Sequence, residues 1–125
     1  MSDGPYSERV LRLFRATQHA GGLAGAPCAR GETDEVRIEL SARVGSGGQL
    51  EALRFRAWGC PHVVAACEAL CAALEGGPAS RLGEVRAAEL VTDLPVPTAK
   101  TGRILVLEDV AHSLGQKLRD DPRST

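Results

Sequence analysis

The residues of this chain best equipped for chemistry are its four thiols, Cys28, Cys60, Cys67 and Cys71. In a reducing compartment such thiols point to metal binding, redox chemistry or plain core packing before they point to disulfides. Cys60 has the most suggestive neighbours. The run Gly59-Cys60-Pro61-His62 sets a thiol at the start of a helix opened by Pro61, where orphan N–H groups and the helix dipole favour the thiolate, the form that binds metal. The alternative for Cys60 is simple packing at a strand–helix junction. Cys28, on a loop after Ala26-Pro27, gains weight only in combination with Cys60. His62 lies in the first helical turn after Cys60 and is a candidate second donor, or else a solvated histidine. Glu32, Asp34 and Glu35 follow Cys28 closely and offer an oxygen ligand, or a charged turn before a strand. His19 and His112 read as helix-surface or core histidines. Cys67 and Cys71 share one helix face, but at a rise of about 1.5 Å per residue they lie about 10 Å and 16 Å along the axis from Cys60. Sulfurs around one tetrahedral metal are only about 4 Å apart, so these two read as small hydrophobes of the core.

Such a site needs a strand that ends at Gly59 and a helix that begins at Pro61. Val36, Ile38 and Leu40 alternate with polar residues, and Leu50, Leu53, Phe55 and Ala57 follow the turn signal Gly45-Ser46-Gly47-Gly48, which predicts a β-hairpin. The helix from about Pro61 to Leu74 is almost wholly apolar, closes on Gly76-Gly77-Pro78 and is expected to be buried. Ahead of the hairpin, an amphipathic helix is expected from Ser7 to about His19, then a flexible Gly/Ala-rich loop from Gly21 to Gly31 with one short edge strand, carrying Cys28. After the buried helix come short helical patterns around Arg81 to Leu90 and the Pro-broken run Leu94-Pro95-Val96-Pro97. A last helix from about Thr101 to Arg119 has Ile104, Leu105, Leu107, Val110, Ala111 and Leu114 inward. The tail, residues 120–125, is expected to be disordered.

Composition fits one soluble α+β domain over residues 1–125: 43% of the residues are apolar, 25% charged, and the formal net charge is −1. That charge gives no reason to expect nucleic acid or an anionic membrane as partner. No stretch approaches the roughly 20 apolar residues of a membrane span, and Asp3, Glu8, Arg9 and Arg12 interrupt the start of the chain, so the expected location is the cytoplasm. No Ser-His-Asp order, phosphate-cradling glycine loop or paired-carboxylate site stands out, and no enzyme activity is expected.

The order of these parts resembles the NifU/IscU-type iron–sulfur cluster scaffold family. The resemblance begins at Tyr6-Ser7-Glu8-Arg9-Val10, continues through Gly25-Ala26-Pro27-Cys28, and is strongest at Phe55-Arg56-Ala57-Trp58-Gly59-Cys60. Late in the chain, Leu94-Pro95-Val96-Pro97-Thr98-Ala99-Lys100 and Leu107-Glu108-Asp109 are similar to the family's Pro-rich, Lys-containing segment and Glu-Asp helix. The resemblance implies a SufE/IscU-like fold, a small three-stranded antiparallel sheet packed by helices. It also implies an assembly site of three cysteines and an aspartate, with a histidine beside the third cysteine.

Carried over by position, Cys28 and Cys60 match the first two cysteines and Lys100 the lysine before the third, while the His-Cys pair falls on Gly102-Arg103. Glu32 is the nearest equivalent of the aspartate, and the chaperone-binding motif is degraded to Val96-Pro97-Thr98-Ala99-Lys100. The expected cofactor-binding residues are therefore Cys28, Cys60, Glu32 and Lys100, and the expected metal ligands Cys28, Cys60, Glu32 and His62. Water or the second subunit of a homodimer would complete the set. Arg103 adds a fixed positive charge that would stabilise thiolates or repel Fe²⁺. Three functions are implied. The first is a scaffold that holds iron or a transient [2Fe–2S] cluster and passes it to cluster-accepting proteins. The second is a metal-free module that docks a cysteine desulfurase or other assembly partner, and the third a mononuclear zinc protein.

Overall fold

Alternation of apolar and polar residues builds the hairpin where the sequence predicts it. In the computed structural model, which describes residues 7–94 and 96–120, β2 (Arg37–Val44) and β3 (Leu50–Trp58) pair antiparallel from Arg37↔Trp58 to Val44↔Leu50. The connecting turn needs glycine: Gly48 sits at φ +81° and donates its N–H to the Gly45 carbonyl. A further strand, β1 (Cys28–Glu32), lies on the free edge of β2 and pairs Cys28 with Ser41 and Glu32 with Arg37, giving the order β1-β2-β3. Cys28 thus opens an ordered edge strand and is not carried on a mobile loop. Its segment, Cys-Ala-Arg-Gly-Glu, has too few apolar residues to declare a strand, and β2 supplies the hydrogen bonds that make it one.

Residues opposite one another in register share a face of the sheet. One face presents Ala29, Ile38, Leu40, Ala42, Leu53 and Phe55, all buried. The other carries exposed Arg30, Glu32, Arg37, Arg56 and Trp58. Both long helices cover the apolar face. Helix α2 (Pro61–Leu74) backs β3, and α4 (Thr101–Asp120) packs on β1 and β2 through Ile104, Leu107, Val110, Ala111, Leu114 and Leu118. Leu105, expected inside, is 45% exposed, because it falls outside the stripe that these 3- and 4-residue spacings define. A Cβ built on Gly31 would stand 2.8 Å from Val110 Cγ2 and 3.2 Å from Val106 Cγ1, so β1 lies this close to α4 only as glycine.

Helix α1 (Glu8–Arg15) begins at its Ser7 cap, whose hydroxyl accepts from the Val10 N–H, but stops four residues short of the expected His19. A buried carboxylate takes over there. Glu68 of α2 accepts from the backbone N–H of Gln18 and of His19 (both 2.9 Å) and meets His19 Nδ1 at 2.6 Å, while the His19 carbonyl and Gly21 N–H pair with Phe55. Those N–H groups are no longer available to a helix. After α2, a 3₁₀ turn (Ala79–Glu84) leads to α3 (Ala87–Asp93), which α4 holds in place: Glu108 accepts from the Ala87 N–H at 2.8 Å, and His112 Nε2 meets the Val85 carbonyl at 2.8 Å. The Glu-Asp segment of α4 is therefore structural at Glu108. Tyr6, Pro95 and the tail beyond Asp120 lie outside the described residues.

Two substitutions test this architecture. Glu68→Ala removes the acceptor of two backbone N–H groups and a histidine, and is expected to cost about 2–3 kcal/mol. Gly31→Ala forces the stiff Val110 side chain away and is expected to cost about 1–3 kcal/mol. In each case urea denaturation should show a lower midpoint at unchanged slope; an unmoved midpoint would contradict the packing described.

Candidate functional site

Where β3 ends, Gly59 makes the bend into α2, and a side chain there would meet Val36 (3.2 Å) and Val63 (3.3 Å). Cys60 follows as the extended N-cap residue (φ −77°, ψ 166°), Pro61 opens the helix, and the Cys60 carbonyl accepts from the Val63 N–H at 2.9 Å. The half-buried Cys60 thiol is the chemical centre. Partial burial pushes its pKa up, but the backbone N–H of Val63, the Arg103 guanidinium, the backbone N–H of His62 and the charge of Lys100 together outweigh this and hold it below the ordinary cysteine value.

Arg103 reaches this point from the first turn of α4. Its guanidinium lies near enough to the Cys60 side chain to ease deprotonation of the thiol, and Nη2 donates to Glu35 Oε2 at 2.7 Å. Glu35 stands on the turn between β1 and β2, closed by the Thr33 N–H to the Val36 carbonyl (2.8 Å), and its own N–H donates to Thr33 Oγ1. One guanidinium thus bridges a thiol on the cap of α2 and a carboxylate on the β1–β2 turn. Lys100 comes from a 3₁₀ turn (Thr98–Lys100) just ahead of α4, so the segment in which the chaperone-binding motif is degraded here serves to place a cation. His62 is buried, and burial first, then Lys100 and Arg103, hold its imidazole below the ordinary histidine pKa. The site therefore combines a thiol whose deprotonation is eased and an imidazole whose protonation is disfavoured with the Glu35 carboxyl and the side chains of Arg103 and Lys100.

Cys28 is not part of it. Along the sheet, Cys28 is level with Ser41 and Arg54, four ladder steps or about 13 Å from the Glu32–Arg37–Trp58 row, and Cys60 lies beyond Trp58. Two strand spacings, about 10 Å in all, separate β1 from β3 as well. Helix α4 gives a second measure. Lys117 donates to the Cys28 carbonyl at 2.6 Å while Arg103 meets Cys60, and these residues are about 21 Å apart along the helix axis. Cys28 also shares the outer face of the sheet with Arg30, opposite to the helices.

Glu32, expected to replace the aspartate, pairs with Arg37 (3.3 Å) on the exposed sheet edge; Glu35 is the carboxylate in the site. Of the residues expected to bind a cofactor or metal, the structure brings together Cys60, His62 and Lys100 and leaves out Cys28 and Glu32. Reading forward from Cys28 treats Ala29 to Glu32 as an insertion in the site, whereas these residues are strand β1. Counting back from the start of β2 would have put Thr33, Asp34 and Glu35 opposite Cys60.

The residues present do not fit a metal cofactor. Cluster iron is held mainly by thiolates, and Cys60 supplies the only one here; zinc takes four ligands, and Glu35 is engaged by Arg103. Among the described residues, no group of three His, Cys, Asp or Glu side chains is placed to hold a metal ion. Cys67 and Cys71 are fully buried, and burial pushes both thiols far up, which leaves them inert core residues. A groove of about 1220 Å³ lies between α1, α2 and α3, lined by Leu13, Leu70, Val85 and Leu90, away from Cys60. No helix among the described residues is long and apolar enough to cross a membrane.

No family model matches the chain. Individual proteins do. Over 115 residues it is 30% identical to the bifunctional protein NifU/MnmA of Rubrobacter xylanophilus, covering 86% of this chain but only 23% of that protein. It is 23% identical to the iron–sulfur cluster assembly scaffold protein IscU of Haemophilus influenzae, covering 83% of this chain and 87% of that one. Among solved structures, the N-terminal NifU-like protein of Brucella abortus superimposes with a TM-score of 0.75 at 15% identity, over 95% of this chain and 97% of its own. A SUF-system scaffold protein described as putative, from Fervidobacterium islandicum, gives 0.66 at 12% identity, over 90% and 98%. The three-stranded antiparallel sheet with its covering helices is thus the fold of these proteins. In sequence and in fold the chain is thus similar to NifU/IscU-type scaffold proteins, with Arg103 at the position that the resemblance aligns with the third cysteine.

Proposed function

We propose that this chain works in iron–sulfur cluster assembly, in the cytoplasm, as a scaffold-type protein that docks a cysteine desulfurase and takes up sulfur on Cys60, without turnover of its own. The supporting observation is the Arg103 guanidinium on a half-buried helix-cap thiol. Of the readings implied by the sequence, this follows the desulfurase-docking one. Holding iron or a [2Fe–2S] cluster through Cys28 and Cys60 is disfavoured by their separation, and mononuclear zinc by the shortage of ligands.

The step needs no external oxidant. The Cys60 thiolate attacks the terminal sulfur of a partner's cysteine persulfide, and a new S–S bond forms at Cys60. The partner's S–S bond breaks, its electron pair stays on the partner's inner sulfur, and the terminal sulfur keeps its proton. The partner returns to a thiolate and Cys60 becomes the persulfide. Lys100 and Arg103 favour the Cys60 thiolate that makes the attack, and the negative charge leaves on the partner's inner sulfur. Sulfur would leave for a cluster-accepting or cluster-building protein by the same exchange. The exposed Trp58, with Arg37 stacked over it at 5.8 Å, borders the site and offers a docking surface for such partners.

Incubation with a cysteine desulfurase and L-cysteine, followed by alkylation and mass spectrometry, should find one added sulfur on Cys60. Cys60→Ser should abolish it and Cys28→Ser should leave it intact. Absence of sulfur on Cys60, or iron charge-transfer absorption after reconstitution that requires both Cys28 and Cys60, would overturn the proposal. The depressed thiol pKa gives a second expectation. Alkylation of Cys60 should set in at lower pH than for free cysteine, because the folded site favours the deprotonated form. Arg103→Gln should move the curve to higher pH and slow the reaction several-fold at neutral pH; identical profiles would remove Arg103 from the account.

A further inference from the structure

The outer face of the sheet divides into a covered half and an open one. On the half level with Cys28, Ser41 is buried, and Gly22, from the segment ahead of β1, lies so near Arg56 that a Cβ on it would stand 2.7 Å from Arg56 Nη2. The half next to Cys60 is open. There the lining of a shallow groove of about 610 Å³ includes Arg30, Glu32, Arg37, Glu39, Arg56 and Trp58. The register sets these residues in two rows, Glu32–Arg37–Trp58 and Arg30–Glu39–Arg56, about 7 Å apart along the strands. Glu39 is only 15% exposed and lies within ion-pair reach of Arg30 (2.6 Å) and Arg56 (3.8 Å), while Glu32 pairs with Arg37 at 3.3 Å. The guanidiniums stand further out: the side chains of Arg30, Arg37 and Arg56 are 76%, 73% and 67% exposed. Positive charge is therefore gathered on this face of a chain whose formal net charge is −1.

We infer that this open half-face is the docking surface for an extended acidic segment of the protein that exchanges sulfur with Cys60, with Trp58 as its apolar anchor. The sulfur exchange rests on the function proposed above; the acidic segment rests on the face itself. Carboxylates at alternate positions of an extended chain are about 7 Å apart, which matches the spacing of the rows, and a guanidinium takes a carboxylate through paired N–H groups. The two glutamates of the face use only part of what three guanidiniums can donate. A nucleic-acid strand fits worse. It carries a phosphate at every step and would meet Glu32 and Glu39, whereas a peptide can set neutral residues opposite them. Trp58, 63% exposed and two residues before Cys60, gives the partner an aromatic contact at the end of the face nearest the thiol. The acidic segment lies along the sheet, and the partner's sulfur-bearing cysteine reaches past Trp58 to the cap of α2.

The test is fluorescence anisotropy of a short fluorescein-labelled peptide of alternating glutamate and alanine, titrated with the full chain. Wild type should bind it, more weakly as salt rises. Arg37→Ala, Arg56→Ala and Trp58→Ala should each weaken binding several-fold, and Arg12→Ala, on α1, which packs against α2, should leave it unchanged. All four side chains are exposed, so each variant should fold. No binding by wild type, or binding that survives loss of both Arg37 and Arg56, would overturn the inference. A labelled thymidine oligonucleotide that binds more tightly than the peptide at the same salt, through the same arginines, would overturn the choice of partner. Sulfur loading of Cys60 is read separately, and Arg56→Ala should raise several-fold the cysteine desulfurase concentration that gives half-maximal loading. A wild type that binds the peptide but takes no sulfur overturns only the proposed function and the exchange half of this inference, whereas one that takes sulfur with unchanged dependence on desulfurase in Arg56→Ala and binds no peptide overturns the docking surface alone.

Discussion

The function proposed for this chain depends on one charged contact: the guanidinium of Arg103, held by the Glu35 carboxylate beside the Cys60 side chain. A thiol on a helix cap is only biased towards the thiolate, and partial burial opposes that bias. The balance turns when two cations stand beside it, one from the first turn of α4 and one from the 3₁₀ turn before it. In the function proposed above, these two charges favour chemistry at one sulfur over cluster binding.

The remainder of the fold keeps that contact in register. Arg103 meets Cys60 only because α4 lies close along β1, which the missing side chain of Gly31 permits, and because Gly59 lets α2 start tightly behind β3. Glu35 is within reach because the edge strand β1 pairs with β2 through five residues and its turn ends beside α4. On the far side of α2, Glu68 clasps the segment after α1, so the cap that carries Cys60 belongs to a helix fixed from both sides. The energetic burden rests on apolar packing, with α2 buried through most of its surface and α4 through one stripe.

Much of this was legible in the residues. Period-two alternation identified β2 and β3, the glycine run identified their turn, and Gly59-Cys60-Pro61 identified the strand–helix junction with its reactive thiol. The burial of Cys67 and Cys71 followed from their distance along α2. Two features were not legible, and for the same reason. Strand β1 has no apolar pattern of its own and exists through pairing with β2, so its extent, and with it the position of Cys28, is fixed by a partner distant in sequence. Likewise Arg103 and Glu35 are 68 positions apart, and a long-range ion pair leaves no trace in local spacing. The resemblance to scaffold proteins supplied the fold. It aligned Cys28 with the first cysteine of the family's site by treating Ala29 to Glu32 as a small insertion, whereas those residues form strand β1 and put Cys28 at its far end from the turn.

The central claim is that Cys60 works as a solitary thiol, and the distance to Cys28 tests it most directly. Nitroxide labels attached to Cys28 and Cys60, with Cys67 and Cys71 protected by burial, report that distance by pulsed electron–electron resonance. The account predicts a separation of about 20 Å or more. A main population below about 10 Å would contradict it, since the two sulfurs would then be near enough to share a metal site.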